Sequence, residues 1–245
     1  HLSIRTLSAS ISLKAFRNDT VHAIIRRLGF EEQSGFQLEK LSAKLVADNK
    51  RLNLSDFNIK LASSTLTLDS VEVCYDSLQN LPRLTDDVQF RGMLNGNFVL
   101  KDLAPIIPVM KGLHRPLQFD LKFHGQGKNL EIPLLSLSDN RNLDIKGNAS
   151  VMDWGAKQSL FLQTQLTNLS VTKSGMNYFM NALTGSVPSI LQQMEYIQFK
   201  GDAAGYLNDL RVAGTLRTGV GSLNANLLIN SDENFNRTYS GGVLS

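Results

Sequence analysis

Histidine, cysteine and paired carboxylates are the side chains that most often carry chemistry, and in this sequence they are few and scattered. The histidines are His1, His22, His114 and His124. His114 and His124 flank Pro116 and a strand-like run; that is wider than usual zinc spacing, and no third ligand is placed to help. No metal site is expected. Cys74 is the single cysteine, which excludes an internal disulfide framework and a cysteine-rich zinc site. It lies one residue out of phase with Val71, Val73 and Tyr75 and reads as a small residue on a strand face. Hydrolase signatures such as G-x-S-x-G and H-E-x-x-H are absent. Ser and Asp are abundant but unpatterned. A glycan hydrolase would need two converging carboxylates, and no spacing points to such a pair. Gly125-Gln126-Gly127-Lys128 and Gly219-Val220-Gly221 match neither a phosphate loop nor a dinucleotide fingerprint and read as turns or strand bends. The expectation is therefore no enzyme and no cofactor.

Charge gives little more. The formal net charge is +3 over 245 residues, too small for a dedicated nucleic-acid binder. Charged residues make up 19% of the chain, below the usual roughly 25%. Arg26-Arg27 and Lys50-Arg51 are the adjacent basic pairs, read as a solvated helix face and a turn. Asn-x-Ser/Thr sequons at Asn18, Asn53, Asn148, Asn168 and Asn236 are weak signals in an Asn-rich chain. Asp19-Thr20, Asp69-Ser70 and Asp76-Ser77 read as local turn and cap chemistry. No stretch reaches the roughly 20 apolar residues needed to span a bilayer; the run Leu103 to Leu113 is interrupted by Pro105, Pro108 and Lys111.

The elements that must hold these residues are mostly strands. Period-two alternation appears in Leu7-Ala9-Ile11-Leu13, Leu41-Ala43-Leu45, Leu66-Leu68, Val71-Val73-Tyr75, Leu117-Phe119-Leu121-Phe123 and Leu223-Ala225-Leu227-Ile229. The phase slips at Ser55-Asp56, Ala62 to Ser64 and Asp69-Ser70, where turns or bulges are expected. An apolar-x-Gly-x-apolar signature recurs around Gly96, Gly147, Gly201 and Gly214 and marks bends or close backbone approach. Helical spacing is limited to residues 19–28 (Val21, Ile24, Ile25, Leu28, with Asn18 or Asp19 as cap and Gly29 as stop), to 102–113 behind an Asp102 cap, and to a helix pair over 174–194. In that pair Ser174 and Ser186 are the expected caps and Gly185 the stop.

This predicts a mainly β fold, a curved and largely antiparallel sheet of half-pipe form with a few short helices. Residues 1–245 read as one elongated β-rich segment of a longer chain. Alternating strands give the sheet one apolar and one polar face. Leaving the apolar face wet would cost roughly 1.5–3 kcal/mol for each large side chain. The face must close on itself, stack on neighbours or hold lipid.

Several runs carry a family likeness. They are Leu28-Gly29-Phe30-Glu31-Glu32-Gln33-Ser34-Gly35-Phe36-Gln37-Leu38 leading into Leu41-Ser42-Ala43, then Leu52-Asn53-Leu54-Ser55-Asp56-Phe57 and Ser64-Thr65-Leu66-Thr67-Leu68. Leu103-Ala104-Pro105-Ile106-Ile107-Pro108 and Leu143-Asp144-Ile145-Lys146-Gly147-Asn148-Ala149 follow. In these the chain resembles the periplasmic region of TamB proteins of the AsmA-like group, in versions of the Bacteroidetes type. The resemblance covers most of the chain as a pattern and includes no catalytic motif. It implies a Gram-negative periplasmic protein, anchored in the inner membrane by a segment absent here. That protein would work in outer-membrane biogenesis with an Omp85-type outer-membrane partner, reached through regions outside these residues. It also implies a taco-like β half-pipe whose interior handles phospholipid acyl chains or helps assemble outer-membrane proteins. The helix pair departs from an uninterrupted groove.

On this reading the lipid-facing residues are Leu66, Leu68, Val71, Val73, Phe119, Leu121, Phe123, Leu227 and Ile229. The alternative is a scaffold with a closed, dry core that recruits partner proteins through exposed sheet edges.

Overall fold

The computed structural model describes residues 4–17, 20–77, 79–154, 159–206, 208–231 and 238–244. The chain divides into two compact units, His1–Gly127 and Lys128–Ser245. Both are antiparallel meanders in which each strand pairs with the next in sequence, so the expected mainly β, antiparallel class is met. The first unit carries β1 (Ile4–Arg17), β2 (Thr20–Glu32), β3 (Gln37–Ala47), β4 (Arg51–Leu61), β5 (Thr65–Cys74), β6 (Gln89–Val99) and β7 (Pro116–Gln126). The second carries β8 (Asn129–Ser138), β9 (Leu143–Met152), β10 (Phe161–Thr172), β11 (Tyr196–Tyr206), β12 (Asp209–Thr218), β13 (Gly221–Ser231) and β14 (Thr238–Leu244). Helices α1 (Lys173–Thr184) and α2 (Ser189–Gln192) interrupt it.

The segment 19–28 is not a helix. Residues from Thr20 onward form β2, and the suggested caps Asn18 and Asp19 lie outside the described residues. The helix-like spacing comes from a bulge. Val21, Ala23 and Ile25 alternate, two arginines intervene, and Leu28 and Phe30 resume, with register shifts against both neighbouring strands. A two-residue gap in a strand imitates the i, i+3, i+4 spacing of a helix, and β-branched Val and Ile pack well on a pleated surface. Gly29 is no helix stop. It is buried inside the strand, where a Cβ would sit 2.9 Å from the Glu39 carbonyl oxygen.

The segment 102–113 is two short 3-10 turns, Leu100–Leu103 and Pro108–Gly112, rather than one helix. Asp102 caps neither. Its Oδ2 accepts the Ser63 N–H at 2.9 Å and the Ser64 hydroxyl at 2.6 Å, tying this connection to the β4–β5 turn. Ser64 Oγ in turn accepts the Val99 N–H at 2.8 Å. Around this polar knot lie the buried Leu38, Leu61, Val99, Leu113 and Leu117.

The helix pair at 174–194 is present as α1 and α2. The Thr172 hydroxyl, not Ser174, caps α1 by accepting the Gly175 N–H at 3.2 Å, and Gly185 at φ +74° ends it as expected. Pro188, not Ser186, precedes α2, and no side chain caps it. The β8–β9 turn anchors α1. Asp139 Oδ1 accepts the N–H groups of Arg141, Asn142 and Leu143, and Asn142 Oδ1 accepts the Thr172 hydroxyl at 2.9 Å. Burial pushes the Asp139 carboxyl up, but these N–H donors outweigh it and hold the group below its ordinary value.

At the opposite end of the first unit Asp87 organises the β5–β6 connection. Its Oδ2 accepts the Asp76 N–H at 3.0 Å and the Asn80 amide at 2.9 Å, and its Oδ1 accepts the Thr85 hydroxyl. Hydrogen bonds from Thr85, Asn80 and Asp76 lower its pKa from 3.8 to about 2. A depressed carboxylate stabilises the fold above its unfolded value and loses that contribution as pH falls through the folded one. Asp87→Ala is therefore expected to lower Tm by a few degrees at pH 7, with the gap to the parent protein closing between pH 4 and pH 2. Thermal melts across that range check it; an unchanged gap at pH 2 would mean the charge is irrelevant.

Candidate functional site

Cross-strand partners in an antiparallel sheet share a face, so the registers define rows of side chains. In the first unit one row runs Ala9, Leu28, Leu41, Ile59, Leu66, Gly96, Phe119. The next includes Phe57, Leu68, Leu94 and Leu121. Then come Leu13, Ala23, Leu45, Leu54, Val71, Gly92 and Phe123, and finally Ala47, Leu52, Val73 and Phe90. The candidates Leu66, Leu68, Val71, Val73, Phe119, Leu121 and Phe123 thus lie on one face, aligned through β6. In the second unit Leu227 pairs with Val212 and Ile229 with Leu210. These continue into the rows Ile132, Ala149, Thr164, Ala203 and Leu130, Val151, Leu162, Gly205. No Asp, Glu, Lys or Arg occurs in any of these rows.

All the named candidates are half-buried rather than buried. The buried apolar side chains of the first unit instead gather near the strand ends, apart from Ala43 in mid-strand. A covered sheet face would reverse this pattern. The accessible surface is 15143 Å², whereas two compact domains of half this mass would together expose roughly 13,000 Å². The excess fits sheets with only partly covered faces.

Glycine shapes these faces. On the apolar side of β9 a Cβ at Gly147 would run into the Gln165 carbonyl, and one at Gly201 or Gly214 into a neighbouring strand's carbonyl. Gly96, at φ +153°, meets the Thr65 carbonyl in the same way. The close approach expected from the apolar-x-Gly-x-apolar signature is therefore present at all four. Aromatic rings lie across some of the gaps. Phe199 Cζ would be 2.7 Å from a Cβ at either Gly201 or Gly214, and Phe123 Cζ 2.7 Å from one at Gly92. Reading strands singly missed Phe199, Leu94 and Gly92 as members of these surfaces; the glycine signature was the signal that could have found them.

The other face of each sheet is polar and wet. It carries the exposed ion pairs Lys44–Asp56 at 2.5 Å, Lys60–Glu39 at 2.9 Å, Lys146–Asp144 at 3.4 Å and Arg91–Glu72. Exposed pairs of this kind are worth at most about 1 kcal/mol each. His22 and His124 are exposed on this side, and His114 is exposed in the β6–β7 connection, its Nδ1 3.0 Å from the Gly112 carbonyl oxygen. Cys74 is half-buried, paired with Arg51 and Gln89. Among the described residues no three His, Cys, Asp or Glu groups come together in a way that could hold a metal. No helix among them is long and apolar enough to cross a membrane.

No family model, no curated protein and no solved structure matches this chain.

The glycine geometry makes a stability prediction. Gly147→Ala forces a Cβ against backbone that cannot rotate away, so it should cost about 1–3 kcal/mol. Gly241→Ala, where a Cβ meets nothing within 4 Å, should change stability by less than about 0.5 kcal/mol. Urea midpoints of the two variants give the comparison.

Proposed function

We propose that the chain is a non-enzymatic segment of a TamB-like periplasmic protein and that its apolar sheet faces carry phospholipid acyl chains. The observation that supports this most directly is the set of charge-free apolar rows, seven strands wide in the first unit, whose large side chains are left half-exposed. Six inter-strand steps of about 4.8 Å make that surface roughly 29 Å wide along the sheet. This is about the thickness of a whole bilayer hydrocarbon core, or two acyl-chain lengths. Each buried CH₂ would contribute roughly 0.8 kcal/mol, enough to hold lipid without any polar recognition. Such a surface discriminates poorly between headgroups. The inner-membrane anchor and the Omp85-type partner belong to this proposal through regions outside these residues.

A second reading, a scaffold that takes up client strands, draws support from β1. Its only strand partner among the described residues is β2. On it Leu7, Ile11 and Leu13 are 64%, 61% and 66% exposed. A 14-residue strand with exposed apolar residues and no proline has the composition that β-augmentation accepts.

Native mass spectrometry with lipid extraction on the chain purified from a bacterial host separates the two. The acyl-chain reading expects phospholipid near one equivalent or more, reduced at least about fivefold in Leu121→Asp and Phe123→Asp while far-UV circular dichroism stays unchanged. A stable, lipid-free parent protein would overturn it and leave the scaffold reading in front.

A further inference from the structure

The bulge that removes the expected helix also builds something on the polar face. Ile25 pairs with Ala43, and Leu28 with Leu41, so two residues stand between apolar-face positions where regular alternation allows one. Arg26 and Arg27 are both exposed as a result. On the neighbouring strand the same happens between Leu38, paired with Phe30, and Leu41, which puts the exposed Lys40 beside them.

Between the two bulges lies Gly29. It pairs with Ser8 and is itself buried, with the Glu39 and Leu38 carbonyls lying where a Cβ would sit. This stretch lines a depression of about 700 Å³, whose charged border is Arg26, Arg27, Lys40, Lys60, Glu31 and Glu39, with Thr6 and Ser8 beside them. Its two carboxylates already have partners. Glu39 holds Lys60 at 2.9 Å, and Glu31 faces Arg5 at 3.9 Å. Among the described residues no hydrogen bond or ion pair engages the side chains of Arg26, Arg27 or Lys40. Arg26, Arg27 and Lys40 therefore add three unpaired cations to a lining whose two carboxylates are matched by Lys60 and Arg5.

We propose that this hollow binds a phosphate-bearing ligand. Two guanidinium forks side by side match the oxygens of a phosphate, Lys40 adds a point charge, and the Thr6 and Ser8 hydroxyls can donate to the remaining oxygens. The site is on the face opposite the apolar rows, so it stands independently of the acyl-chain reading. Being exposed, it binds best at low ionic strength.

The test uses the full chain, with inorganic pyrophosphate in a calorimetric titration and, separately, sedimentation with phosphatidylcholine vesicles containing phosphatidylglycerol. The expected result is saturable binding of at least one probe, weakened at least about tenfold in R26Q/R27Q, with K40Q intermediate. The charge-matched control K200Q/R217Q, in the second unit, should bind like the parent. Loss of pyrophosphate binding alone identifies a soluble phosphate, and loss of vesicle binding alone a lipid headgroup; either supports the site. Absence of binding to both probes, or equal weakening in the control pair, would overturn it. Matching thermal melts of R26Q/R27Q and the parent establish that folding is not the cause.

Discussion

Side-chain parity is the constraint on which this structure rests. A single layer of strands can keep one apolar face only if every strand presents its apolar set to the same side. A slip of one residue turns a whole strand over. Strands of 10 to 14 residues, as all but the seven-residue β14 are, must also bend to follow their neighbours in a twisted sheet. The chain meets both demands in one way, by placing two residues between consecutive apolar-face positions. Arg26-Arg27, Glu39-Lys40, Ser55-Asp56, Asp69-Ser70, Pro133-Leu134 and Thr167-Asn168 all fall at register shifts or unpaired gaps. Asp56 adopts φ +51° to do this, and its carboxylate is then held by Lys44.

That device explains which features the sequence made legible. At Ser55-Asp56 and Asp69-Ser70 the inserted residues are turn formers, so the slip reads directly as a bulge. At Arg26-Arg27 they are two good helix formers between β-branched and aliphatic residues, and the spacing across the bulge coincides with that of a helix. Local pattern cannot separate these cases, because the deciding interaction is pairing with β1 and β3, supplied from elsewhere in the chain. The 102–113 segment fails for a related reason. Asp102 has the right type and place for a helix cap, but a turn roughly 40 residues earlier offers it two better donors.

The apolar surface was readable in part. Alternation located Leu66 to Val73, Phe119 to Phe123 and Leu227 to Ile229, each on its own strand. It could not say that β6 lies between β5 and β7 with Gly92 and Gly96 in the same rows, because a glycine reads as a gap in an apolar pattern. In the sheet a Cβ at either position would run into the neighbouring strand, and Phe123 lies against Gly92 as Phe199 lies against Gly201 and Gly214. Aromatic cover on glycine lets a sheet bend tightly and still present a continuous apolar surface.

One consequence of parity connects the two faces. Each inserted pair adds a residue to the outward side only, so every correction that preserves the apolar rows also concentrates polar groups opposite them. Where the pair is neutral or matched by a partner, as at Asp56 with Lys44, the surplus disappears. Where the pair carries two like charges, as in Arg26-Arg27, it accumulates beside the hollow at Gly29, and Lys40 joins it because the other member of its own pair, Glu39, is held by Lys60. The apolar rows contain nothing that could sort ligands by charge, because any charged residue there would be paired across strands with aliphatic side chains. Among the described strands charge is therefore confined to the face opposite the rows, and the bulge at Arg26-Arg27 is where the first unit concentrates like charge there.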